Sequence, residues 1–264
     1  MPELPEVEHA VQRLRPHVEG RTVARIERLH AATQRALAAR RASALVGASI
    51  SALTRRGKYQ RFVLDSGASL VAHFRLDGDW HVGPADAPLP RFARLAMHFT
   101  DRTRIALLDP RAFATVTFHA AGDDPMPELG PEPWDPALTD EAWHAALARR
   151  SSAIKLVLLD QRLIAGIGNI YAAEGLWHAQ VHPDRPAKSL RRDRAARLLA
   201  GVRHALQRGL DEPGRVFGTT VGSASSHELM VYGRDGERCH RCARTIRRVV
   251  HAGRGTWYCP GCQR

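Results

Sequence analysis

The stretch "CHRCARTIRRVVHAGRGTWYCPGC" (239–262) contains all 4 cysteines of the 264-residue chain. Two C-x2-C pairs are separated by a spacer of the length found in structural zinc sites, and "HAGRG" (251–255) is typical of a β-hairpin turn. Two disulfides are the alternative, which a cytosolic location disfavours. Because so short a segment buries little apolar surface, we expect one structural Zn²⁺ to stabilise it. Its predicted ligands are Cys239, Cys242, Cys259 and Cys262.

The charge of the chain predicts a polyanionic partner. Lys and Arg (39) outnumber Asp and Glu (27), which gives a formal net charge of +12. From Gly233 to Arg264, eight arginines and two carboxylates give +6 (eight minus two), half of that total. An Arg-rich composition would explain the total net charge of the chain, but it would not explain why half of that charge lies in residues 233–264. A basic patch of this kind is the electrostatic footprint of a nucleic-acid-binding surface.

The N-terminal half of the chain has the periodicity of one helix followed by antiparallel strands. Apolar residues at helical spacing from Val7 to Val18 predict a helix that ends near Gly20. Three segments then alternate apolar and polar residues: "KYQRFVLDSGASLVAHF" (58–74) with a turn at Ser66-Gly67, "RLAMHFTDRTRIALLD" (94–109) and "FATVTFHA" (113–120). This order predicts a β-sandwich or barrel.

The C-terminal half begins after a proline-rich joint, "GDDPMPELGPEPWDP" (122–136), and is helical in pattern. Four segments carry that pattern: "TDEAWHAALARR" (139–150) with Thr139 as its cap, "SAIKLVLLDQ" (152–161), "NIYAAEGLWHA" (169–179) and "RRDRAARLLAGVRHALQRGL" (191–210). The chain contains no apolar run near the roughly 18 residues of a membrane span, and its acidic start is unlike a secretory signal. A cytoplasmic protein without a membrane partner is expected.

The opening "MPELPEVE" (1–8) offers nucleophilic chemistry. Removal of Met1, which is usual before a small residue, would leave Pro2 with a free secondary amine. With a sugar this amine forms a permanently cationic iminium, which drives elimination. Glu3 could donate a proton to the sugar ring oxygen if partial burial keeps it protonated. The alternative is that these residues form an ordinary N-terminus with no catalytic role.

Two further motifs suggest contacts with phosphates. In "AGIGN" (165–169), glycines allow positive φ and close approach of another backbone, and Asn169 is predicted to cap a helix whose amides favour a phosphate. Lys155 could reach the same phosphate. Lys58 lies in a basic corner, "RRGKYQ" (55–60). An ordinary helix corner and a solvated lysine are the alternatives, and His73 in "VAHFRL" (71–76) is more often structural.

Eight motifs occur in an informative order: "MPELPEVE" (1–8), "RRGKY" (55–59), "DPRAF" (109–113), "LGPEPW" (129–134), "IKLVLLDQRLIAGIGNIYAAEGL" (154–176), "HPDR" (182–185), "ELMVYGRDGERC" (228–239) and the cysteine tail. Together they resemble formamidopyrimidine-DNA glycosylases, bacterial base-excision enzymes related to endonuclease VIII. The resemblance covers essentially the whole chain. It implies a monomer that binds damaged double-stranded DNA and is associated with the nucleoid through that DNA.

The resemblance implies an α+β multidomain fold with four parts: an N-terminal antiparallel β-sandwich with an N-terminal helix (1–121), a linker (122–136), a helix–two-turn–helix DNA-binding domain (137–232) and a C-terminal β-hairpin zinc finger (233–264). It also implies a bifunctional DNA glycosylase/AP lyase. Such an enzyme excises oxidised or ring-opened bases through a Schiff base on an N-terminal proline and cleaves the strand by β,δ-elimination.

The resemblance assigns roles residue by residue. Pro2 is the nucleophile, Glu3 the general acid, Glu6 an assisting carboxylate and Lys58 a catalytic, phosphate-facing lysine. Residues expected to contact DNA are Leu76, Arg111, Phe113, Lys155, Asn169 and Arg254. The zinc is structural.

The chain departs from the family at the residues that fill the space of the extruded nucleotide. The family uses Met, Arg and Phe there, whereas this chain has Leu76, Ala112 and Phe113, and the loop "GRVFGTTVGSASSH" (214–227) is short. We expect weak preference for the opposite base and poor excision of 8-oxoguanine. Two alternatives remain open: an endonuclease VIII-like glycosylase for oxidised pyrimidines, and a non-catalytic protein that binds damaged DNA.

Overall fold

The computed structural model describes residues 1–211 and 229–264. The helices among these residues are α1 (Leu4–Leu14), α2 (Ala31–Ala36), α3 (Ala39–Ser43), α4 (Asp140–Ala148), α5 (Ile154–Leu158), α6 (Asn169–His178) and α7 (Arg192–Asp211), with 3-10 turns at Arg15–His17 and Ala187–Ser189. The strands are β1 (Val23–Arg28), β2 (Ile50–Arg56), β3 (Tyr59–Leu64), β4 (Ser69–His73), β5 (Asp79–Pro84), β6 (Ala93–Phe99), β7 (Thr103–Leu108), β8 (Thr115–His119), β9 (Arg247–His251) and β10 (Arg254–Tyr258).

The described residues form two compact units. The first unit contains Met1–Pro2 and Glu6–Pro127, and the second contains Glu3–Pro5 and the described residues from Glu128 onward. The division falls within α1, because Leu4 and Pro5 belong to the second unit and the rest of that helix to the first.

The first unit is the predicted β-sandwich. One sheet has the strand order β1-β6-β7-β5 and the other β2-β3-β4-β8, with antiparallel pairing throughout. Alternate residues of β3 are buried, as the sequence pattern predicts, and two of them, Phe62 and Leu64, join one apolar core with residues of both sheets and of α1. Tyr59 pairs with His73, and the turn that follows β3 lies at Ser66-Gly67 as predicted.

Three strands were not predicted from the sequence: β1, β2 and β5. All three lie at the edges of their sheets, where one side of the strand faces solvent. Charged and polar residues such as those of "VARIER" (23–28) therefore weaken the apolar alternation. The two small helices α2 and α3 were missed as well, since five or six residues are too few to display a helical period.

The helices of the second unit follow the predicted patterns, except that α5 (Ile154–Leu158) is shorter than the predicted segment 152–161. Thr139 caps α4, where its Oγ1 accepts a hydrogen bond from Ala142 N at 3.2 Å. Trp143 of α4 is fully buried, and its indole Nε1 donates to Ala195 O of α7 at 3.1 Å. In the described ranges, none of the helices combines the length and apolar character needed to cross a membrane.

Candidate active site and zinc centre

The carboxylate of Glu3 is held by the first turn of α6. Its Oε2 accepts hydrogen bonds from Gly168 N at 2.7 Å and Tyr171 N at 3.3 Å, and its Oε1 accepts from Ile170 N at 2.8 Å. Amides in the first turn of a helix have no acceptor within the helix, and the helix dipole favours negative charge there. Glu3 is 1% exposed. The carboxylate therefore caps α6 from a position 165 residues earlier in the chain.

Two glycines before α6 allow this approach. A Cβ on Gly168 would lie 2.3 Å from Glu3 Cδ, and one on Gly166 would lie 2.6 Å from Leu4 Cδ1. Leu4 N also donates to Gly166 O at 3.1 Å. The predicted close approach is confirmed at both glycines, whereas positive φ occurs only at Gly166, where it is 87°.

The prediction that Asn169 caps α6 is wrong. Gly168 occupies the N-cap position, and Asn169 is the first residue of the helix. Asn169 Nδ2 instead donates to Gly255 O of β10 at 2.8 Å. Glu3 accepts hydrogen bonds from Gly168 N, Ile170 N and Tyr171 N, so these three amides are not available to the predicted phosphate.

Lys155 also differs from its predicted role as a DNA contact. Its side chain is fully buried, and Nζ donates to Asn169 O at 2.8 Å rather than facing an external phosphate. Burial lowers the pKa of Lys155 to about 7, with Glu3 and Glu174 acting in the opposite direction. The lysine therefore supports the N-terminal turn of α6 from within.

A second buried carboxylate holds another segment against α6. Glu174 accepts hydrogen bonds from three consecutive amides: Met230 N at 2.7 Å, Val231 N at 2.9 Å and Tyr232 N at 2.9 Å. Burial raises the pKa of Glu174, while these hydrogen bonds act to lower it. Sequence analysis did not identify this residue, because a single Glu in an apolar helix gives no indication of its partners.

Arg254 is exposed at the start of β10. The next residue, Gly255, is bound by Asn169, and the positive charge of Arg254 contributes to the low pKa of Lys155. The second unit thus brings Glu3, Lys155, Asn169 and Arg254 together. Of the three predicted DNA contacts in this group, the structure leaves Arg254 exposed and Asn169 partly exposed.

The first unit contains the other predicted catalytic residues. Pro2, Glu6 and Lys58 are buried, and Lys58 follows Gly57 in the turn between β2 and β3. Arg55 fixes this turn because its Nε donates to Glu8 Oε2 of α1 at 2.7 Å and its Nη1 donates to Gly57 O at 3.0 Å. An ion pair therefore connects α1 to the turn that carries Lys58.

His73, which the sequence predicts to be structural, lies next to the turn that carries Lys58. Burial, with the charges of Arg75 and Lys58, lowers the pKa of His73 to about 3, so the ring is neutral near pH 7. Nδ1 accepts from Arg75 N at 3.0 Å, which places the ring proton on Nε2. The hairpin centred on Ser66 could have revealed this position, since it sets residue 73 opposite residue 59, next to Lys58.

Two neighbouring turns of the first unit carry the residues that are predicted to fill the space of the extruded nucleotide, which we call the wedge residues. Leu76 lies between β4 and β5, and Phe113 lies between β7 and β8 with 53% of its surface exposed. An ion pair between Arg111 Nε and Asp77 joins the turns. The buried carboxylate of Asp109 accepts from Arg111 N at 3.1 Å and from Ala114 N at 2.6 Å, which fixes the turn that presents Phe113. The predicted short loop at 214–227 lies outside the described residues.

The four cysteines form a group that fits one metal ion. Their Sγ atoms all lie within 4.8 Å of one another, with Cys239 and Cys262 at 3.9 Å and Cys242 and Cys259 at 3.4 Å. A tetrahedron with Zn–S bonds of about 2.3 Å has S···S separations of about 3.8 Å. Four thiolates complete the coordination, as in structural zinc centres, which leave no position for substrate.

Comparison with known proteins identifies each part of the chain. Family models match the formamidopyrimidine-DNA glycosylase N-terminal domain at residues 1–116, its H2TH domain at 129–220 and the zinc finger found in FPG and IleRS at 236–264. A formamidopyrimidine-DNA glycosylase from Nocardioides sp. is 41% identical over all of this chain and 94% of the relative, and one from Geobacillus kaustophilus is 38% identical over both whole chains.

The chain belongs to the formamidopyrimidine-DNA glycosylase family. Two solved structures of the Lactococcus lactis enzyme are also similar. The complex with AP-site DNA has 31% identity and a TM-score of 0.89, and the match covers 99% of each chain. The complex with FAPY-dG-containing DNA has the same identity and TM-score, and covers 99% of this chain and 100% of that one.

Family membership confirms several predictions. The protein is a DNA glycosylase of base-excision repair, its α+β multidomain fold class is as predicted, and it has one structural zinc site formed by the four cysteines.

We expect Gly168→Ala to displace Glu3, because the new Cβ would overlap the carboxylate. Loss of its hydrogen bonds to buried amides should lower the unfolding free energy by about 1–3 kcal/mol. Misplacement of Glu3 should reduce cleavage of AP-site DNA about a hundredfold. Denaturant unfolding and strand-cleavage rates measure the two effects.

The control is Gly83→Ala in β5, where the new Cβ would meet only the movable end of His81. It should stay within about 0.5 kcal/mol of the wild type. Wild-type stability and cleavage in Gly168→Ala would contradict the assignment of Glu3.

The buried Lys155 predicts a pH dependence of stability. Its pKa is about 7 in the folded protein and ordinarily 10.5, so the unfolded chain binds more protons between these values. The unfolding free energy should therefore gain up to ~1.4 kcal/mol per pH unit from this group as the pH rises through that range. Lys155→Met should remove this contribution, whereas Lys188→Met, at an exposed lysine, should retain it. Parallel curves for the wild type and Lys155→Met in denaturant titrations at pH 7–10 would be evidence against the lowered pKa of Lys155.

Proposed function

We propose that this glycosylase is bifunctional, with AP lyase activity that depends on the amine of Pro2. The observation that carries the proposal is the enclosure of Glu3, the residue that directly follows Pro2, by the amides of α6. A chain end is normally mobile. Fixing its third residue restricts where the neighbouring amine can lie, which is the entropic requirement for attack on a sugar carbon.

The proposed reaction begins after removal of Met1. The Pro2 nitrogen bonds to C1′ of the damaged nucleotide as the bond to the base breaks, and the base leaves with a proton. The nitrogen proton then departs as the C1′–O4′ bond breaks and O4′ becomes a hydroxyl, which leaves an iminium at C1′. Loss of a C2′ proton expels the 3′ phosphate, and a second elimination expels the 5′ phosphate.

Glu3 carries proton transfer in this proposal. Hydrogen bonds from three amides at the start of α6 fix the position of its carboxylate. We infer that Glu3 takes the proton that leaves the Pro2 nitrogen and passes it to O4′. Glu6 assists as a second carboxylate.

Lys58 and His73 supply the phosphate contacts of the first unit in this proposal. An ammonium beside a neutral imidazole with its proton on Nε2 offers two donors suited to a phosphate oxygen. Arg254 and Asn169 contact the DNA backbone from the second unit, while Lys155 acts indirectly through Asn169 O. Leu76 and exposed Phe113 insert into the base stack, with Arg111 beside them.

The partner is damaged double-stranded DNA, which the solved Lactococcus lactis relatives also bind, as AP-site or FAPY-dG-containing DNA. The net charge of +12 supports strongly salt-dependent binding. We propose that the protein acts as a monomer in the bacterial cytoplasm and associates with the nucleoid through DNA. The proposed boundaries are 1–121 for the catalytic domain, 122–136 for the linker, 137–232 for the helix–two-turn–helix domain and 233–264 for the zinc finger.

Borohydride reduction tests the amine mechanism, because it converts the iminium into a stable covalent complex. Wild-type protein should lack Met1 by intact mass and should be trapped on AP-site DNA. Pro2→Gly should reduce trapping sharply while DNA binding survives, and Pro127→Gly should behave as the wild type. A protein that retains Met1 and cleaves at full rate would refute the mechanism, and binding without any trapping would favour the non-catalytic alternative.

Lesion preference follows from the wedge residues. With Ala112 in place of an arginine, bidentate recognition of the opposite base is absent, which amounts to about 1–3 kcal/mol of discrimination. We propose that ring-opened formamidopyrimidines, hydantoins or oxidised pyrimidines are cleaved in preference to 8-oxoguanine. The family of the relatives favours formamidopyrimidines, and the endonuclease VIII-like alternative favours oxidised pyrimidines.

Cleavage of a duplex panel, with each lesion opposite each base, tests this preference. We expect less than tenfold variation with the opposite base in the wild type and greater discrimination in Ala112→Arg. Residue 112 already has a φ of 57°, so this change between two non-glycine residues adds little backbone strain. Efficient release of 8-oxoguanine strictly opposite cytosine by the wild type would disprove the proposed preference.

A further inference from the structure

Trp177, near the C-terminal end of α6, is enclosed by the zinc finger. Its side chain is only 6% exposed and belongs to an apolar cluster with Val231, Ile246 and the metal-site residues Cys239 and Cys259. A buried indole N–H needs an acceptor, since an unpaired polar group costs free energy in an apolar environment.

The acceptor of the indole proton is a zinc-ligand sulfur. Trp177 Nε1 donates to Cys239 Sγ at 3.4 Å, a bond that lies entirely within the buried interior. The backbone amide of Arg241 also donates to this sulfur at 3.4 Å. Cys239 Sγ thus receives hydrogen bonds both from its own finger and from α6.

Arg241 fixes the orientation of the indole ring. Its guanidinium carbon lies 3.9 Å from the ring centroid of Trp177, and its Nη1 donates to Trp177 O at 3.0 Å. The ring is therefore stacked on one side by a cation and bonded at its edge to the sulfur. In this orientation of the ring, Nε1 points at Cys239 Sγ.

We propose that Trp177 is a positioning residue for the zinc centre, in which its indole N–H orients the Cys239 thiolate and stabilises its negative charge. Residues that hydrogen-bond to metal ligands commonly change metal affinity by 10–100-fold when replaced. The four thiolates suit zinc by their number and spacing. The contribution of α6 is to hold one of them in the ligating orientation before the metal binds.

The test is zinc affinity, measured by competition with a chromophoric chelator of known affinity. Trp177→Phe keeps an aromatic ring for the apolar cluster and for Arg241 but lacks the N–H donor. We expect its zinc dissociation constant to rise about 10–100-fold. The matched control is Trp257→Phe in the same finger, which loses an indole bond to Asp235 Oδ1 of 2.8 Å but none to a cysteine. It should remain within about twofold of the wild type.

A second variant separates the hydrogen bond from packing. Benzothienylalanine, placed at residue 177 by codon suppression, has nearly the shape of tryptophan but carries sulfur in place of the N–H. It should lose zinc affinity as Trp177→Phe does. In the cobalt-substituted protein, loss of the donor should shift the thiolate-to-cobalt charge-transfer band to lower energy, a change that altered packing alone does not require.

Wild-type zinc affinity and an unmoved cobalt band in the benzothienylalanine protein would overturn the proposal, whether or not Trp177→Phe folds. An equal loss of affinity in Trp257→Phe would overturn it too, because the effect would then not depend on a bond to a ligand sulfur.

Discussion

The hydrogen bonds between the Glu3 carboxylate and the first amides of α6 are the constraint on which the active site depends. They satisfy donors that every helix leaves unpaired, and they fix a residue that would otherwise belong to a mobile chain end. The cost is a buried negative charge, which the helix dipole and the neighbouring Lys155 ammonium offset. Gly166 and Gly168 are required because any larger residue would occupy the space of Leu4 and Glu3.

Helix α6 extends this organisation through the second unit. Its first turn binds Glu3, Asn169 binds Gly255 of β10, Glu174 binds the amides of residues 230–232, and Trp177 binds Cys239. Four side-chain contacts along one helix thus connect the Glu3 carboxylate with β10, which begins at Arg254, and with Cys239 of the zinc centre. The zinc-binding cysteines and Glu3 accordingly belong to the same compact unit.

The sequence revealed features that depend on local pattern. Cysteine spacing was sufficient for the zinc centre, and the alternation around Ser66 was sufficient for the hairpin of β3 and β4. Edge strands such as β1 were missed because polar residues are tolerated there. The roles of Asn169 and Lys155 were misjudged for another reason: a residue distant in sequence, Glu3, occupies the helix end that the local motif seemed to offer. Pattern alone does not reveal such tertiary competition.

Amide hydrogen exchange in the first turn of α6 tests the central claim most directly. Glu3→Ala should remove the carboxylate that accepts from Ile170 N and Tyr171 N, while the amides deeper in α6 keep their helical partners. Exchange at residues 170 and 171 should accelerate by at least tenfold relative to the wild type, with little change from Ala173 onward. Unchanged protection of these two amides in a folded Glu3→Ala protein would contradict that claim.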